Sequence, residues 1–262
     1  MWPVLHFLGL TLPVAPLAAL LAFAVGSEVG SRTIRRFAGK EKVAASWSEA
    51  FNNATFVGLL AGLVAARVAY AMRYFDLYLA EPTLLFSLRP GTLAWWPGIG
   101  FGAAVVVFYS RRHQLPLAVI ADAGAMGALA ALVIWNLGQF LTGDAYGVPA
   151  EVPWAVQLWG EARHPVQLYV AGALLVGLAV LWWQRQDVRP GQLFWKALLV
   201  YGAVELFFTA FRANPTTWGP GIRTAQVYAL LAILTAMYVL SYYARPPHLE
   251  GAPKVDESVN GL

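Results

Sequence analysis

Apolar residues in this chain do not alternate with polar ones; they run in blocks of about twenty, separated by short clusters rich in Arg, Lys, Gly and Pro. A hydrocarbon core about 30 Å thick takes roughly 20 apolar residues per helical span. In lipid only helices and closed barrels satisfy their own backbone groups, and barrel strands would alternate. The pattern therefore predicts an all-α integral membrane protein with seven transmembrane helices, near residues 8–25, 55–74, 93–109, 118–140, 167–183, 193–211 and 225–243. The first block has no basic segment before it, as a cleaved leader would, so it reads as a retained helix whose start Pro13 and Pro16 make irregular. Residues 1–245 form one transmembrane domain without internal repeat, and 246–262, with Pro246-Pro247 and mixed charges, is too poor in apolar surface to fold and is expected to be disordered.

Loop charge sets the expected orientation. Twelve Lys and Arg residues fall on the side of the 32–42, 111–112 and 185–196 connections and the C-terminal tail, against five (Arg73, Arg89, Arg163, Arg212 and Arg223) on the other. The positive-inside rule then places the N-terminus outside and the C-terminal tail in the cytoplasm. Composition agrees: 59% of the 262 residues are hydrophobic and 12% charged, where soluble domains carry about a quarter charged residues. The net charge of +4 follows from the cytoplasmic loops and gives no support to nucleic-acid binding. With no cysteine, and with His6, His113, His164 and His248 dispersed, neither a metal nor a cofactor site is expected.

Four ionisable groups sit within or at the ends of the apolar blocks: Arg67, Asp122, Glu205 and Arg212. Charge at membrane depth costs roughly 2.5 to 3.5 kcal/mol per group on insertion scales and marks either a mutually satisfied pair or a substrate cavity. Glu205 and Arg212, seven apart, share a helix face; Arg67 or Arg163 is placed to neutralise Asp122 or Glu205 across helices. Gly58, Gly62, Ala61, Ala65 and Ala66 form a small-residue face for close helix packing that sets Arg67 and Tyr70 against a neighbour. Trp95-Trp96 and Trp182-Trp183 fall at span ends, where indole rings favour the headgroup level.

The most polar stretch is Trp135-Asn136-Leu137-Gly138-Gln139-Phe140-Leu141-Thr142-Gly143-Asp144-Ala145-Tyr146-Gly147, followed by Arg163-His164-Pro165-Val166-Gln167-Leu168-Tyr169. Its glycines alone would suit a turn-rich outer loop, but Asn136 and Gln139 lie inside the apolar run, where insertion disfavours them.

These residues resemble the bacterial prolipoprotein diacylglyceryl transferases. That family's signature, Gly-Arg-x-Gly-Asn-Phe-x-Asn-Gly-Glu-x-x-Gly, is met by Gly138, Phe140, Gly143 and Gly147, with Gln139, Thr142 and Asp144 at its two Asn positions and its Glu. Its Arg-His-Pro-x-Gln-Leu-Tyr-Glu is met by Arg163, His164, Pro165, Gln167, Leu168 and Tyr169, with Val170 for the acid. Tyr201, Gly202 and Arg212 match a Tyr-Gly-x-x-Arg-x-x-x-Glu-x-x-Arg pattern, in which Glu205 and Thr209 replace the first Arg and the Glu. The signature Arg is Asn136, the family's essential His falls in the 91–98 segment at Pro97, and the Tyr near its first span has no counterpart among Val14, Ala15 and Pro16.

The resemblance implies a multi-pass protein of the bacterial inner (plasma) membrane. It implies transfer of the diacylglyceryl group of phosphatidylglycerol to the lipobox cysteine of a prolipoprotein, with release of glycerol phosphate. The partners expected are a membrane phospholipid, a prolipoprotein and other membrane proteins. The candidate catalytic residues are His164, Arg163, Asp144 and Glu205, and the candidate lipid-binding residues Arg67, Tyr70, Asn136, Gln139, Thr142, Gln167, Tyr169 and Arg212. Such a reaction needs a base for the thiol, since the thiolate is the nucleophile, and cations for the departing phosphate. Proline supplies neither, and Asn for Arg with Glu for Arg lowers the charge of those two positions by three units. Three readings stand at this level: a diverged transferase with rearranged groups, a degenerate relative acting as a lipid-binding scaffold, and a changed lipid chemistry on a less anionic substrate, with Glu205 as acid or base and Asn136, Gln139 and Thr142 binding hydroxyls.

Overall fold

A computed structural model describes residues 4–7, 10–86, 90–219 and 221–244. The expected disordered tail lies outside these residues. Eight α-helices carry the described fold: α1 Val14–Phe37, α2 Glu41–Arg73, the short α3 Phe75–Ala80, α4 Trp95–Arg112, α5 Leu117–Thr142, α6 Val166–Gln184, α7 Gln192–Phe208 and α8 Thr224–Tyr243. Three two-stranded hairpins are added: β1 Val4–Phe7 with β2 Leu10–Pro13, β3 Val156–Leu158 with β4 Glu161–Arg163, and β5 Thr217–Trp218 with β6 Ile222–Arg223. Six helices (α1, α2, α5, α6, α7 and α8) are long and apolar enough to cross a membrane. The chain is an all-α membrane protein of the multi-pass kind.

The expected boundaries shift where charged residues continue a helix. The first helix starts at Val14, after the β1–β2 hairpin, and runs on to Phe37, taking Arg32, Arg35 and Arg36 out of the predicted loop. The second starts at Glu41 and reaches 33 residues, about 50 Å at 1.5 Å per residue, so it extends well beyond a 30 Å hydrocarbon layer. The expected 93–109 span is α4, 18 residues ending in Arg111 and Arg112, and it falls outside the six apolar spans.

Packing follows side-chain size. In α2 and α4 the glycines meet across the contact: a Cβ added at Gly62 would lie 2.8 Å from the Gly98 carbonyl oxygen, and one at Gly102 2.8 Å from that of Gly58. Only glycine permits that approach of two backbones. Ala66 completes this face, whereas Ala61 and Ala65 turn to a shallow apolar groove beside Leu60, Val64, Val68 and Phe101. Helices α1, α6 and α7 pack on α5, whose Met126, Leu129 and Val133 join Val166, Val170 and Leu174 of α6 and Leu193, Ala197 and Val204 of α7 in one buried cluster, and α8 packs on α7.

Asp122 of α5 is fully buried and forms no ion pair with an arginine among the described residues. Its Oδ2 accepts the Gly191 N–H at 2.7 Å and its Oδ1 the Phe194 N–H at 2.7 Å, so it caps the start of α7. First-turn N–H groups have no partner within their helix and attract negative charge. The expectation that Arg67 or Arg163 neutralises Asp122 is therefore corrected.

Candidate functional site

Helix α5 ends where Gly143 takes a left-handed conformation, φ 79°, which turns the chain back so that the Asp144 N–H reaches the Gln139 carbonyl at 3.0 Å. Thr142 Oγ1 lies 2.8 Å from Asp144 Oδ2 and 3.2 Å from the Gln139 carbonyl, and Gln167 Nε2 donates to the Asp144 carbonyl at 2.5 Å. Thr142 and Gln167 thus serve to shape the turn.

Beyond it, residues 146–150 run extended between two other segments. On one side the Val148 N–H donates to Phe211 at 2.8 Å and the Ala213 N–H to Tyr146 at 3.2 Å. On the other, the His164 N–H donates to Val148 at 3.1 Å and the Ala150 N–H to Ala162 at 2.9 Å. Gly147 pairs with Arg212 and Pro149 with Arg163. The three sequence motifs, far apart along the chain, meet on Gly147. A side chain there has no room, since a Cβ would fall 2.7 Å from Val166 Cγ2 and 2.8 Å from His164 Cβ, and closer still to the His164 carbonyl oxygen.

The charged groups around this junction are paired. Arg163 donates from Nη1 to the Gly147 carbonyl at 3.3 Å, from Nη2 to Glu161 at 2.5 Å, and lies over the Tyr146 ring at 4.9 Å. Arg212 Nη2 meets Glu205 Oε1 at 3.1 Å, and the Thr209 hydroxyl donates to Glu205 Oε2 at 3.1 Å. Glu205 is therefore neutralised from its own helix end and not by Arg163 or Arg67. The side chain of His164 packs edge-on to Phe211, and its Nδ1 is 3.2 Å from the Tyr169 hydroxyl. That hydroxyl also accepts the indole N–H of Trp154 at 2.7 Å. One ring nitrogen is thus held, leaving Nε2 for proton transfer.

Other expected site residues stand apart from the junction. Asn136 is buried and spends its amide on the Leu132 carbonyl of its own helix at 2.8 Å. Gln139 contributes its backbone carbonyl to the α5 cap. Arg67 bridges the 84–85 backbone and Thr92, donating to the carbonyls of Leu84, Leu85 (3.1 Å) and Thr92 (2.8 Å) and lying 5.5 Å from the Tyr78 ring centre. Tyr70 stacks with Tyr74 and Tyr78. This pair shapes a loop, and the expected neighbourhood of Arg67 with Arg163 and Glu205 is not formed.

The family pattern Gly-Gly-x-Ser-Phe-His-Gly-Gly that the 91–98 segment resembles has its histidine sixth, at Trp96, which corrects the assignment to Pro97 by one residue. Neither residue carries an imidazole, and the Trp96 side chain is exposed at the start of α4. The sequence reading also passed over Trp154 and Arg223. Arg223, counted there only among the outer arginines, donates from Nη1 to the Thr209 carbonyl.

A bundle of apolar helices that gathers arginines, a histidine, amides and carboxylates at one junction defines a polytopic membrane protein with a polar centre suited to a charged headgroup. The family model for prolipoprotein diacylglyceryl transferase matches residues 3–242. Similar proteins include the phosphatidylglycerol–prolipoprotein diacylglyceryl transferase of Idiomarina loihiensis, 30% identical over 203 residues that cover 75% of this chain and 74% of the relative. That of Cutibacterium acnes is 26% identical over 250 residues, covering 90% and 82%. That of Clostridioides difficile is 24% identical over 197 residues, covering 74% and 78%. The chain belongs to the prolipoprotein diacylglyceryl transferase family.

Proposed function

We propose that this chain transfers the diacylglyceryl group of phosphatidylglycerol to the lipobox cysteine of a prolipoprotein at the outer face of the bacterial inner membrane, using a diverged set of groups. The observation that carries the reading is the junction on Gly147, which sets Arg163, His164 and Arg212 around one backbone segment. In this reading α4 is the seventh span, the N-terminus is outside and the C-terminus cytoplasmic, so the ends of α5 and α7 and the starts of α6 and α8 meet at the outer leaflet. The thiol proton passes to His164 Nε2, held in place through Nδ1 and Tyr169. The thiolate sulfur then bonds to the glyceryl carbon as the carbon–oxygen bond to the phosphate breaks, and glycerol phosphate leaves with the electron pair. Arg163 and Arg212 counter the charge on that phosphate, while Asp144 is held by Thr142 at the entrance.

The ion pair between Glu205 and Arg212 favours a second reading, a lipid-binding scaffold without transfer, because the carboxylate already satisfies part of an arginine that phosphate needs. Complementation of a strain depleted of its own diacylglyceryl transferase separates the two. A gel shift of preprolipoprotein to its lipidated form, lost in His164→Ala, supports transfer. Full-length protein in the membrane with no conversion rejects it in favour of the scaffold.

A further inference from the structure

The segment between α7 and α8 holds an arginine at each end, Arg212 and Arg223, and its fold brings both to one turn. Hairpin β5–β6 pairs Thr217 with Arg223, and the Thr224 N–H closes on the Thr216 carbonyl at 3.0 Å, which folds the chain back over the end of α7. There the Thr209 carbonyl accepts both the backbone N–H of Arg212, at 3.3 Å, and Nη1 of Arg223. Thr209 is almost completely buried and both arginines are half-buried. Around this turn stand two guanidinium groups and one carboxylate, Glu205, which Arg212 and Thr209 share. Among the described residues, one positive charge here has no carboxylate in ion-pair contact, in a place where burial disfavours it.

Two further observations point the same way. Among the described residues, buried Arg212 Nε has no hydrogen-bond partner, and neither has the buried hydroxyl of Thr224, the residue after Arg223 and the first of the 20-residue helix α8. Buried donors are normally matched. Unmatched donors beside two guanidiniums, at the start of a helix, are the donor set that a phosphate group takes up.

We infer that Arg223 is a second phosphate-binding arm of the site, acting with Arg212 and the start of α8 on a phosphate ester. It supplies part of the positive charge that Asn136 and Glu205 remove. This rests on the phospholipid reading above but not on turnover. Arg223 enters from the loop after α7 and not from the helix positions that Asn136 and Glu205 occupy, so the anion is held nearer the outer rim of the junction.

The test is binding to the full-length protein in phosphatidylcholine nanodiscs, read with soluble glycerol phosphate and, separately, with phosphatidylglycerol mixed into the disc. Wild type binds, Arg223→Gln binds each ligand at least ten-fold more weakly, and Arg223→Lys falls between, because a lysine keeps the charge but not the planar fork. Weakening of the soluble ligand alone assigns Arg223 to the released phosphate; weakening of both assigns it to the lipid headgroup as well. Equal binding by wild type and Arg223→Gln overturns the inference, as does a wild type that binds neither ligand. Should Arg223→Gln not fold, Arg223→Lys decides by the same comparison. Wild type that binds glycerol phosphate through Arg223 yet converts no prolipoprotein rejects the transfer reading and keeps this one.

Discussion

Replacing Gly147 by alanine adds one methyl group where three segments meet. The new carbon would lie 2.7 Å from Val166 Cγ2, 2.8 Å from His164 Cβ and closer than either to the His164 carbonyl oxygen. That carbonyl cannot turn away, because it accepts the Val166 N–H at 2.9 Å at the start of α6. Ordinary contact needs about 3.5 to 4 Å between carbons, so 146–148 must move off 162–166 by roughly 1 Å. Overpacking of this kind costs about 1–3 kcal/mol, and a displacement near 1 Å at a reacting centre lowers rate by about 10²-fold. Gly147→Ala should therefore unfold at lower temperature in detergent and convert prolipoprotein 10- to 100-fold more slowly than wild type. The control is Gly172→Ala on α6, where an added Cβ meets nothing within 4 Å and alanine favours the helix by up to about 1 kcal/mol; it should match or exceed wild-type stability. If Gly147→Ala behaves like Gly172→Ala in both measurements, the junction does not hold the site together.

Asp122→Ala removes the cap of α7 and should cost about 1–2 kcal/mol of stability, with Asp122→Asn milder because one acceptor oxygen survives; equal melting of all three proteins would refute the cap. Arg67→Ala removes the bridge between Leu84, Leu85 and Thr92 and should cost about 1–3 kcal/mol of stability, read as a lower melting temperature in detergent; unchanged melting would show that bridge to be incidental. Histidine introduced alone at Trp96 or Pro97 should leave transfer within about two-fold, since Glu205 still engages Arg212; a ten-fold rise in conversion would show that the missing imidazole alone limits the site. Trp154→Phe removes the donor to the Tyr169 hydroxyl that holds His164 and should slow transfer measurably, while Trp159→Phe, on an exposed residue outside this chain of bonds, should not.

The helices were legible because each membrane crossing must be apolar along its whole length, and blocks near 118–140 and 225–243 reappear as α5 and α8 within two residues at each end. The ends of α1 and α2 were not, since a helix leaving the hydrocarbon continues through charged residues that hydropathy counts as loop. Of the motif residues, Arg163, His164 and Arg212 come together at Gly147, whereas Asn136 and Gln139 stay with their own helix. What pairs with what was hidden: Asp122 caps a helix start 69 residues away, a contact that no local spacing signals. Trp154 and Arg223 carry no motif and enter the site only through the path of their loops. The small-residue pattern on α2 did announce close packing, and the structure names its partner as Gly98 and Gly102.

The Asp122 cap sits near the beginning of both α5 and α7, while the Gly147–Arg212 pairing joins the chain just beyond the far end of each. The two helices are thus pinned like a beam at both supports. Splaying them apart at either end means breaking a fastening, so this pair acts as a fixed gauge rod from one rim of the bundle to the other. Its span is about 39 Å for the 26 residues of α5, and it fixes the distance between the Asp122 cap and the Gly147 junction.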